Sequence, residues 1–369
     1  MPFSLQLPTR IAFGRGLFDT AADEIAALGA RPLIVHGRSS ADRARELQGK
    51  LGGEVLETRG EPDLPSLREA IAAAKDNLPD VVVGLGGGAV LDMAKALAAL
   101  IPSDSDPMRH LEVVGDGVPL DVAPLPFVAI PTTSGTGAEA TKNAVIGVPE
   151  HARKVSLRDD RMLARLALVD PALTESAPVS VRLASGLDAV VQVIEPYLSS
   201  KANPLTDALC RDAIPRGLAA LRRVIEAPDG DAFDDMALVS LTGGIVLANA
   251  GLGVVHGLAG PLGGHTGAAH GALCGRLLCP SLRANFAQIS GPRRTDIERW
   301  IAAAFGSDDG LSALEAWIDA AGLPRLGDMG VTPEIAAQVA DEAHASSSMK
   351  SNPVSLDGAT LTGIMQQAM

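Results

Sequence analysis

The stretch of sequence that decides the fold is Val81-Val-Val-Gly-Leu-Gly-Gly-Gly-Ala-Val-Leu-Asp-Met-Ala-Lys95. Its first three residues are apolar without alternation, as expected of a central parallel strand that is buried on both faces. Three consecutive glycines, Gly86, Gly87 and Gly88, then predict a tight turn, and a helix is predicted from about Ala89. The stretch therefore predicts a strand, a glycine turn and a helix, which is how a βαβ unit begins.

A glycine turn of this kind either connects a strand to a helix or also binds a phosphate. Because Gly86, Gly87 and Gly88 have no β-carbon, a pyrophosphate can approach their backbone closely. The helix that follows offers free N–H groups, that of Ala89 among them, and the positive end of its dipole to the same anion. The spacing matches neither the GxGxxG nor the Walker A pattern. The position at the carboxyl end of a buried strand nevertheless favours phosphate binding.

On both sides of this stretch, short β-branched runs alternate with amphipathic segments. The predicted strands are Arg10–Phe13, Pro32–Val35, Asp80–Leu85, Pro126–Ile130 and Leu166–Val169, and the predicted helical segments include Phe18–Leu28, Ser40–Leu51 and Leu64–Ala74. This alternation is typical of βαβ units and a mainly parallel sheet. We therefore predict an α/β dinucleotide-binding domain over residues 1–175.

After Asp170–Pro171 the strand-like runs nearly vanish and long helical patterns follow. These cover residues 182–199, 204–226, 231–249, 269–287, 294–305 and 311–321. We predict an all-helical second domain over residues 176–369. A cleft between an α/β domain and a helical domain is a usual place for a ligand, so we expect the ligand site there.

Two further loops follow predicted strands and carry groups that can bind a nucleotide. The loop Ile130–Glu139 has hydroxyls at Thr132, Thr133 and Thr136, although threonines and glycines also make ordinary loops. The loop Val35–Ser40 combines the space left by Gly37 with the donors Arg38 and Ser39. An arginine without a neighbouring carboxylate suits a 2′-phosphate, which slightly favours NADP over NAD. The alternative is an exposed arginine beside a serine helix cap.

Residue types that bind metals cluster in the predicted helical domain. Asp188 and Gln192 are four residues apart in a helical pattern and so share one face. Three of the seven histidines, His256, His265 and His270, fall within fifteen residues among many small residues. Aspartate and histidine together suit Zn²⁺ or Fe²⁺. Each histidine alone is more often a hydrogen-bonded core residue, so spacing leaves metal binding and a polar core equally open.

Composition narrows the classes of function. The formal net charge of −13 disfavours nucleic acid as a partner, because phosphate neutralisation needs clustered lysines and arginines. The three cysteines, Cys210, Cys274 and Cys279, form no CxxC pair and are interpreted as small core residues of a reducing compartment. We find no signal peptide pattern and no apolar run of membrane-spanning length. We therefore expect a cytoplasmic protein that binds neither membranes nor nucleic acid.

With these motifs in place, the sequence resembles the iron-containing alcohol dehydrogenase family, which has the dehydroquinate-synthase-like fold. The resemblance covers nearly the whole chain. It consists of FGxG at Phe13–Gly16, GGGxxxDxAK at Gly86–Lys95, PTTxGTG at Pro131–Gly137, VDP at Val169–Pro171, GxDA at Gly186–Ala189, and histidines at 256 and 270. Together these motifs are specific, although none is specific alone.

The resemblance implies two sets of site residues. The dinucleotide contacts would be Gly87, Gly88, Asp92, Thr132, Thr133, Thr136 and Lys154, and the metal ligands would be Asp188, Gln192, His256 and His270. Three positions depart from the family pattern: Gln192 stands where the family has a histidine, Gly260 where many members have a proton-transferring histidine, and Ala89 where the motif has a serine. An amide is a poorer donor than imidazole for Fe²⁺ or Zn²⁺, so the metal is expected to be weakly held or absent.

The resemblance implies an NAD(P)-dependent oxidoreductase that transfers a hydride between the nicotinamide and a small alcohol or carbonyl substrate. A divalent metal would act as the Lewis acid, and a water, a ribose hydroxyl or His265 would carry the proton that the missing histidine at position 260 carries in many members. We expect a homodimer. The alternatives are a metal-independent carbonyl reductase related to the maleylacetate reductases, and a nucleotide-binding protein without catalysis. A lyase-type sugar-phosphate cyclase on the same fold is more remote.

Overall fold

The structure is a computed structural model that describes residues 3–151 and 153–369. In the described residues the strands are β1 (Ile11–Phe13), β2 (Pro32–Gly37), β3 (Glu54–Thr58), β4 (Val81–Gly86), β5 (Phe127–Pro131), β6 (Asn143–Val148), β7 (Arg153–Arg158) and β8 (Leu166–Val169). Six of them form one parallel sheet in the order β1-β8-β5-β4-β2-β3, while β6 and β7 pair separately and antiparallel. The predicted mainly parallel sheet is confirmed.

Helices alternate with the strands of this sheet. They are α1 (Ala21–Ala26), α2 (Ala41–Leu51), α3 (Leu64–Lys75) and α4 (Gly88–Leu100). Helix α3 begins with a reciprocal cap in which the Asp63 carboxylate accepts from the backbone N–H of Ser66 and the Ser66 hydroxyl accepts from that of Asp63. This arrangement satisfies two of the donors that a helix N-terminus leaves unpaired. Helix α4 begins directly after the glycine turn, with Gly87 as its N-cap.

Strand β4 and helix α4 pack in direct contact with each other. All six residues of β4 are buried, as the apolar run Val81–Val83 predicts. A β-carbon built on Gly84 would lie 2.9 Å from the Ala94 methyl carbon and 2.9 Å from a methyl of Leu91. Glycine at position 84 therefore allows the helix backbone to approach the central strand, which places the start of α4 at the strand's carboxyl end.

The remainder of the chain is helical, which confirms the predicted fold class. Its helices are α5 (Val179–Leu198), α6 (Pro204–Glu226), α7 (Gly230–Ala250), α8 (Val254–Thr266), α9 (His270–Phe286), α10 (Pro292–Phe305), α11 (Gly310–Ala320), α12 (Pro333–Ala343) and α13 (Gly358–Ala368). Helix α5 lies at the centre, in contact with α6, α7 and α9. It is buried at almost every position from Gly186 to Leu198, so any polar residue in that stretch faces the core.

Contacts divide the chain into two compact units. The α/β unit contains Gln6–Thr133 and Gly137–Ser176. The helical unit contains Ala177–Met369 together with residues 3–5 and Ser134–Thr136. The second of these short stretches, Ser134–Thr136, is the middle of the loop that follows β5.

Several elements were not predicted from the sequence. Strand β3, the β6–β7 hairpin and helices α8, α12 and α13 all lie outside the predicted segments. Helix α8 contains Gly257, Gly260 and Pro261, which are residues typical of loops. Burial overrides that local preference, since Leu258 and Leu262 of this helix are buried in the core of the helical unit.

No single described helix is long and apolar enough to cross a membrane. Helices α7 and α8 reach that length and hydropathy only when they are taken together, and the angle between their axes is 100°.

The packing of α4 on β4 predicts the effect of a substitution. Gly84→Val should lower the free energy of unfolding by about 1–3 kcal/mol, because the added carbons overlap Ala94 and Leu91. Gly49→Ala is the matched control: Gly49 lies inside α2 with open space around it, so this change should stabilise the protein by up to about 1 kcal/mol. Thermal melting measures both. A Gly84→Val protein that melts at the wild-type temperature would contradict the packing.

Candidate metal centre and dinucleotide-binding edge

Helix α5 carries two polar residues into the core of the helical unit. Asp188 and Gln192 lie one turn apart and are 1% and 2% exposed. The Gln192 amide donates a hydrogen bond to the Asp188 carboxylate. Among the described residues, neither Oδ1 of Asp188 nor Oε1 of Gln192 has a hydrogen-bond partner. Because an unsatisfied buried oxygen is costly, Asp188 Oδ1 is suited to an additional electrophile such as a metal ion.

Helices α8 and α9 bring two histidines and a cysteine to this carboxylate. His256 lies in the first turn of α8, His270 is the first residue of α9, and Cys274 follows one turn later. His256 Nε2 is 3.3 Å from Asp188 Oδ1, and Cys274 Sγ is 3.6 Å from His270 Nε2. One ligand atom from each of the four residues lies within 4.8 Å of all the others. We refer to these four residues as the Asp188 cluster.

The Asp188 cluster fits a small divalent cation. With Zn–N and Zn–O bonds of about 2.0–2.1 Å and a Zn–S bond of about 2.3 Å, a tetrahedral ion separates nitrogen from oxygen by about 3.3 Å and nitrogen from sulfur by about 3.5 Å. The corresponding separations in the cluster are 3.3 Å and 3.6 Å. Carboxylate, imidazole and thiolate are also the donors that Zn²⁺ and Fe²⁺ accept in proteins.

A further carboxylate, Glu195, orients His256. Glu195 Oε2 lies 2.7 Å from His256 Nδ1, and Oε1 accepts a 2.7 Å hydrogen bond from the backbone N–H of Val255. With Nδ1–H donating to Glu195, the lone pair on His256 Nε2 is directed at Asp188 and is available to a cation. Glu195 was not predicted from the sequence, although it lies two helical turns after Asp188 and therefore on the same face of α5.

The charges in the Asp188 cluster favour a cation at its centre. Burial opposes the Asp188 carboxylate, but the His256 imidazole and the positive charge of His270 outweigh it and lower the pKa of Asp188 to about 2. The Cys274 sulfur is the main cause that raises the pKa of His270 to about 9. Burial lowers the pKa of His256, yet Cys274, Asp188 and Glu195 together hold it well above its usual range. Anionic donors thus favour positive charge here, either as protons or as a metal ion.

The structure places His265 away from the Asp188 cluster. His265 lies nine residues after His256 in α8, which corresponds to about 13 Å along the helix and to its opposite side. Its Nε2 is 3.2 Å from both carboxylate oxygens of Glu342 in α12. A proton relay by His265 stays a prediction. A β-carbon on Gly260, one turn after His256, would meet only open space.

The predicted dinucleotide loops lie at one edge of the parallel sheet. Strands β2, β4 and β5 are neighbours in the sheet, so the loops after them are adjacent at their carboxyl ends. The residues at these strand ends are Gly37, Arg38 and Ser39 for β2, Gly86, Gly87, Gly88 and Ala89 for β4, and Thr132 and Thr133 for β5. The strand order reverses between β2 and β4, and this switch point is where ligands of such sheets bind.

The glycines at this edge have different roles. A β-carbon on Gly86 would lie 2.6 Å from Val90, so that glycine is required by the turn into α4. A β-carbon on Gly87 would approach only the Thr133 side chain, at 3.2 Å, and one on Gly37 would approach only a Val90 methyl, also at 3.2 Å. Gly87 therefore leaves open the space at the N-terminus of α4, where an anion is favoured.

The other predicted dinucleotide contacts are also placed by the structure. Asp92 Oδ2 accepts a hydrogen bond of 3.0 Å from the backbone N–H of Val145 in β6. Lys154 in β7 forms an ion pair with Glu61. Thr136 belongs to the helical unit by its contacts. Asp92 and Lys154 thus have structural partners, and contacts of all three residues with a dinucleotide stay predictions.

The position of Glu195 predicts its influence on metal affinity. Glu195→Gln leaves only one acceptor for the two donors that Glu195 binds, so His256 loses its fixed orientation. We expect metal affinity to fall by about 10–100-fold, as for other groups that orient metal ligands. A competition titration with a metal-binding dye measures it. Glu342→Gln, which alters the carboxylate paired with His265, is the control and should leave affinity unchanged. Equal losses in both variants would contradict this role for Glu195.

Comparison with known proteins supports the same interpretation of both halves of the chain. A family model described as iron-containing alcohol dehydrogenase matches residues 8–171, and one described as the C-terminal part of the Fe-containing alcohol dehydrogenase family matches residues 182–369. The chain is 36% identical over 287 residues to long-chain-alcohol dehydrogenase 1 of Geobacillus thermodenitrificans (strain NG80-2), a match that covers 75% of this chain and 71% of that protein.

A second relative and a solved structure match over greater lengths. The 4-hydroxybutyrate dehydrogenase of Cupriavidus necator is 31% identical over 360 residues, which is 92% of each chain. The crystal structure of a 1,3-propanediol oxidoreductase superposes with a TM-score of 0.90 over 100% of both chains, at 26% identity. The chain therefore belongs to the iron-containing alcohol dehydrogenase family, and it is an NAD(P)-dependent oxidoreductase of alcohols and aldehydes that uses a divalent metal.

Proposed function

We propose that this chain interconverts small alcohols and their aldehydes or ketones with NADP(H), and that the Asp188 cluster holds the divalent metal. The observation that carries the proposal is the convergence of a buried carboxylate, two imidazoles and a thiol within 4.8 Å of one another. Burying these polar and ionisable side chains in a hydrophobic core costs free energy unless they are paired with opposite charges or bind a metal ion.

The α/β unit supports the dinucleotide part of the proposal. The N-terminus of α4 follows Gly87 directly, so its free N–H groups are available to a pyrophosphate. Thr132 donates its backbone N–H to the Gly86 carbonyl at 3.0 Å, which ties the loop after β5 to the loop after β4. The two loops thereby form one surface, on which the Thr133 hydroxyl lies beside Gly87.

Preference for NADP over NAD is proposed from the end of β2. The exposed side chains there are Arg38 and Ser39, and the nearest acidic residue along the chain is Asp42 in α2. Arg38 gives a fixed positive charge and several donors to a phosphate, whereas an enzyme selective for NAD usually has a carboxylate at this point.

When bound, the dinucleotide supplies nicotinamide C4 as hydride donor or acceptor, and the metal supplies a Lewis acid for the substrate oxygen. Asp188, His256 and His270 hold the cation, and Glu195 fixes the orientation of His256. Burial of Asp188, His256 and Cys274 limits the access of water to them, which strengthens each electrostatic contact. No side chain is proposed here as the acceptor of the alcohol's proton, and His265 is paired with Glu342.

The substrate range is proposed to include both short alcohols and alcohols with a longer tail. The relatives of this chain are named for long-chain alcohols and for 4-hydroxybutyrate. A panel of linear alcohols and ω-hydroxy acids of increasing length, assayed with NADP⁺ and NAD⁺, covers that range. A homodimer in the cytoplasm completes the proposal, and the three free buried cysteines are compatible with a reducing compartment.

The cofactor preference is tested by replacing Arg38. Arg38→Ala should weaken NADPH binding by roughly ten- to a hundredfold and NADH binding little, because a charge-assisted hydrogen bond contributes about 1.5–3 kcal/mol. Arg45→Ala, on an exposed face of α2, is the matched control and should change neither affinity. Fluorescence titration with each reduced cofactor measures them. Equal weakening of both cofactors, or none, would remove Arg38 from the 2′-phosphate site.

Removal of the metal separates the proposal from the metal-independent reductase. Gln192, in place of the family's histidine, is the observation that favours the alternative. Treatment with a chelator should abolish alcohol oxidation while dinucleotide binding persists, and added Zn²⁺ or Fe²⁺ should restore turnover. Unchanged turnover in protein shown to be free of metal would make the metal-independent reductase the better account. Persistent cofactor binding without turnover in any metal would favour the inactive nucleotide-binding protein.

A further inference from the structure

We propose that the thiolate of Cys274 is a metal ligand in this chain and takes the place that Gln192 leaves open. The proposal rests on the proposed metal role of the Asp188 cluster and specifies which side chains form it. The resulting ligand set is one carboxylate oxygen, two imidazole nitrogens and one sulfur.

The geometry of α9 directs Cys274 at the same point as His270. The two residues are one helical turn apart, and residues at this spacing lie on the same face. Their Sγ and Nε2 atoms are 3.6 Å apart, which is close to the separation of about 3.5 Å that two such ligands have on a tetrahedral zinc ion. Cys274 also interacts with His256 from the adjacent helix. A cysteine that served only as core filling would have no reason to converge on both imidazoles.

Gln192 is occupied in a different way. Its amide group donates to the Asp188 carboxylate, and its Oε1 would be 3.5 Å from a β-carbon built on Gly243 of α7. The carbonyl oxygen, which is the only donor atom that an amide offers to a metal, therefore lies next to the α7 backbone. We infer that Gln192 orients Asp188 and that Cys274 supplies the fourth ligand.

The other two cysteines lack this environment. All three cysteines are buried in the apolar core of the helical unit, but neither Cys210 nor Cys279 belongs to the Asp188 cluster. Burial raises the pKa of the Cys279 thiol to about 12, so that thiol stays protonated. Cys279 lies on the same helix as Cys274 and is equally buried, which makes it a matched control for substitution.

Thiolate ligation has two chemical consequences. Thiolate and imidazole ligands bind a cation only without their protons, so metal binding should release protons to the solvent. A soft sulfur donor beside two imidazoles also favours Zn²⁺ over Fe²⁺ more than an oxygen or nitrogen donor at the same place would. We therefore infer that the resident ion of this chain is Zn²⁺.

Cobalt substitution tests the proposal by a spectroscopic signal that is independent of turnover. Protein freed of metal with a chelator is reloaded with Co²⁺ without oxygen, and its absorption spectrum is recorded. Wild type should show a sulfur-to-cobalt charge-transfer band in the near ultraviolet. Cys274→Ala should lose this band, whereas Cys279→Ala and Gln192→Ala should retain it. Circular dichroism verifies the fold of each variant, and Cys274→Ser repeats the test with a side chain of similar size.

A zinc competition titration on the same proteins gives the second measurement. Loss of Cys274 should weaken Zn²⁺ binding by more than the roughly 10–100-fold expected when an orienting group is lost, and Gln192→Ala should stay within that range. Wild type that binds Co²⁺ without the charge-transfer band would overturn thiolate ligation and leave the metal-dependent function intact. Wild type that binds neither Co²⁺ nor Zn²⁺ would overturn the proposed function, and this inference with it.

Discussion

The carboxylate of Asp188 is buried in the middle of a long apolar helix, and the candidate site of the helical unit is arranged around its compensation. A charge in that position is tolerated only where hydrogen bonds or opposite charges surround it. Gln192 donates to it from the same helix, and His256 approaches it from α8. His270 and Cys274 come from the start of α9, so three helices meet at this one group.

The same principle explains why small residues are frequent around the cluster. Gly243 leaves room for the Gln192 side chain, and Gly271 allows the start of α9 to lie against the backbone of Ala184 in α5. Without these glycines the helices could not approach closely enough to bring their side chains together. The geometry of the polar site therefore depends on the packing of the helical core, and a substitution at either glycine would disturb both.

The α/β unit uses the backbone where the helical unit uses side chains. Its binding edge is formed by strand ends, by free N–H groups of α4 and by positions where a β-carbon is absent. Such a surface is visible in a sequence because glycine clusters and buried strands have distinctive patterns. The stretch Val81–Lys95 predicted the central strand, its turn and its helix for this reason, and the structure differs only by about a residue at each boundary.

The side-chain site was harder to predict. Asp188, His256 and His270 were identified because their types and spacing are unusual, but Cys274 and Glu195 were missed. Cys274 lies in the first turns of α9, and Glu195 lies on the same face of α5 as Asp188, so both positions become clear only when these helices are known. The glycines and the proline of α8 also made that helix unrecognisable in the sequence. Local propensity favours a loop over Val254–Thr266, whereas burial against neighbouring helices decides for a helix. The position of His265 on α8 was hidden for the same reason, since its helical phase could not be predicted.

The most direct test of this account is a crystal structure of the protein with its resident metal, with anomalous diffraction data collected on both sides of the zinc absorption edge. We predict one strong anomalous peak in the helical unit, within bonding distance of Asp188, His256 Nε2, His270 Nε2 and Cys274 Sγ. A peak bound by Gln192 and remote from Cys274, or an ordered cluster of side chains with no peak in catalytically active crystals, would contradict it.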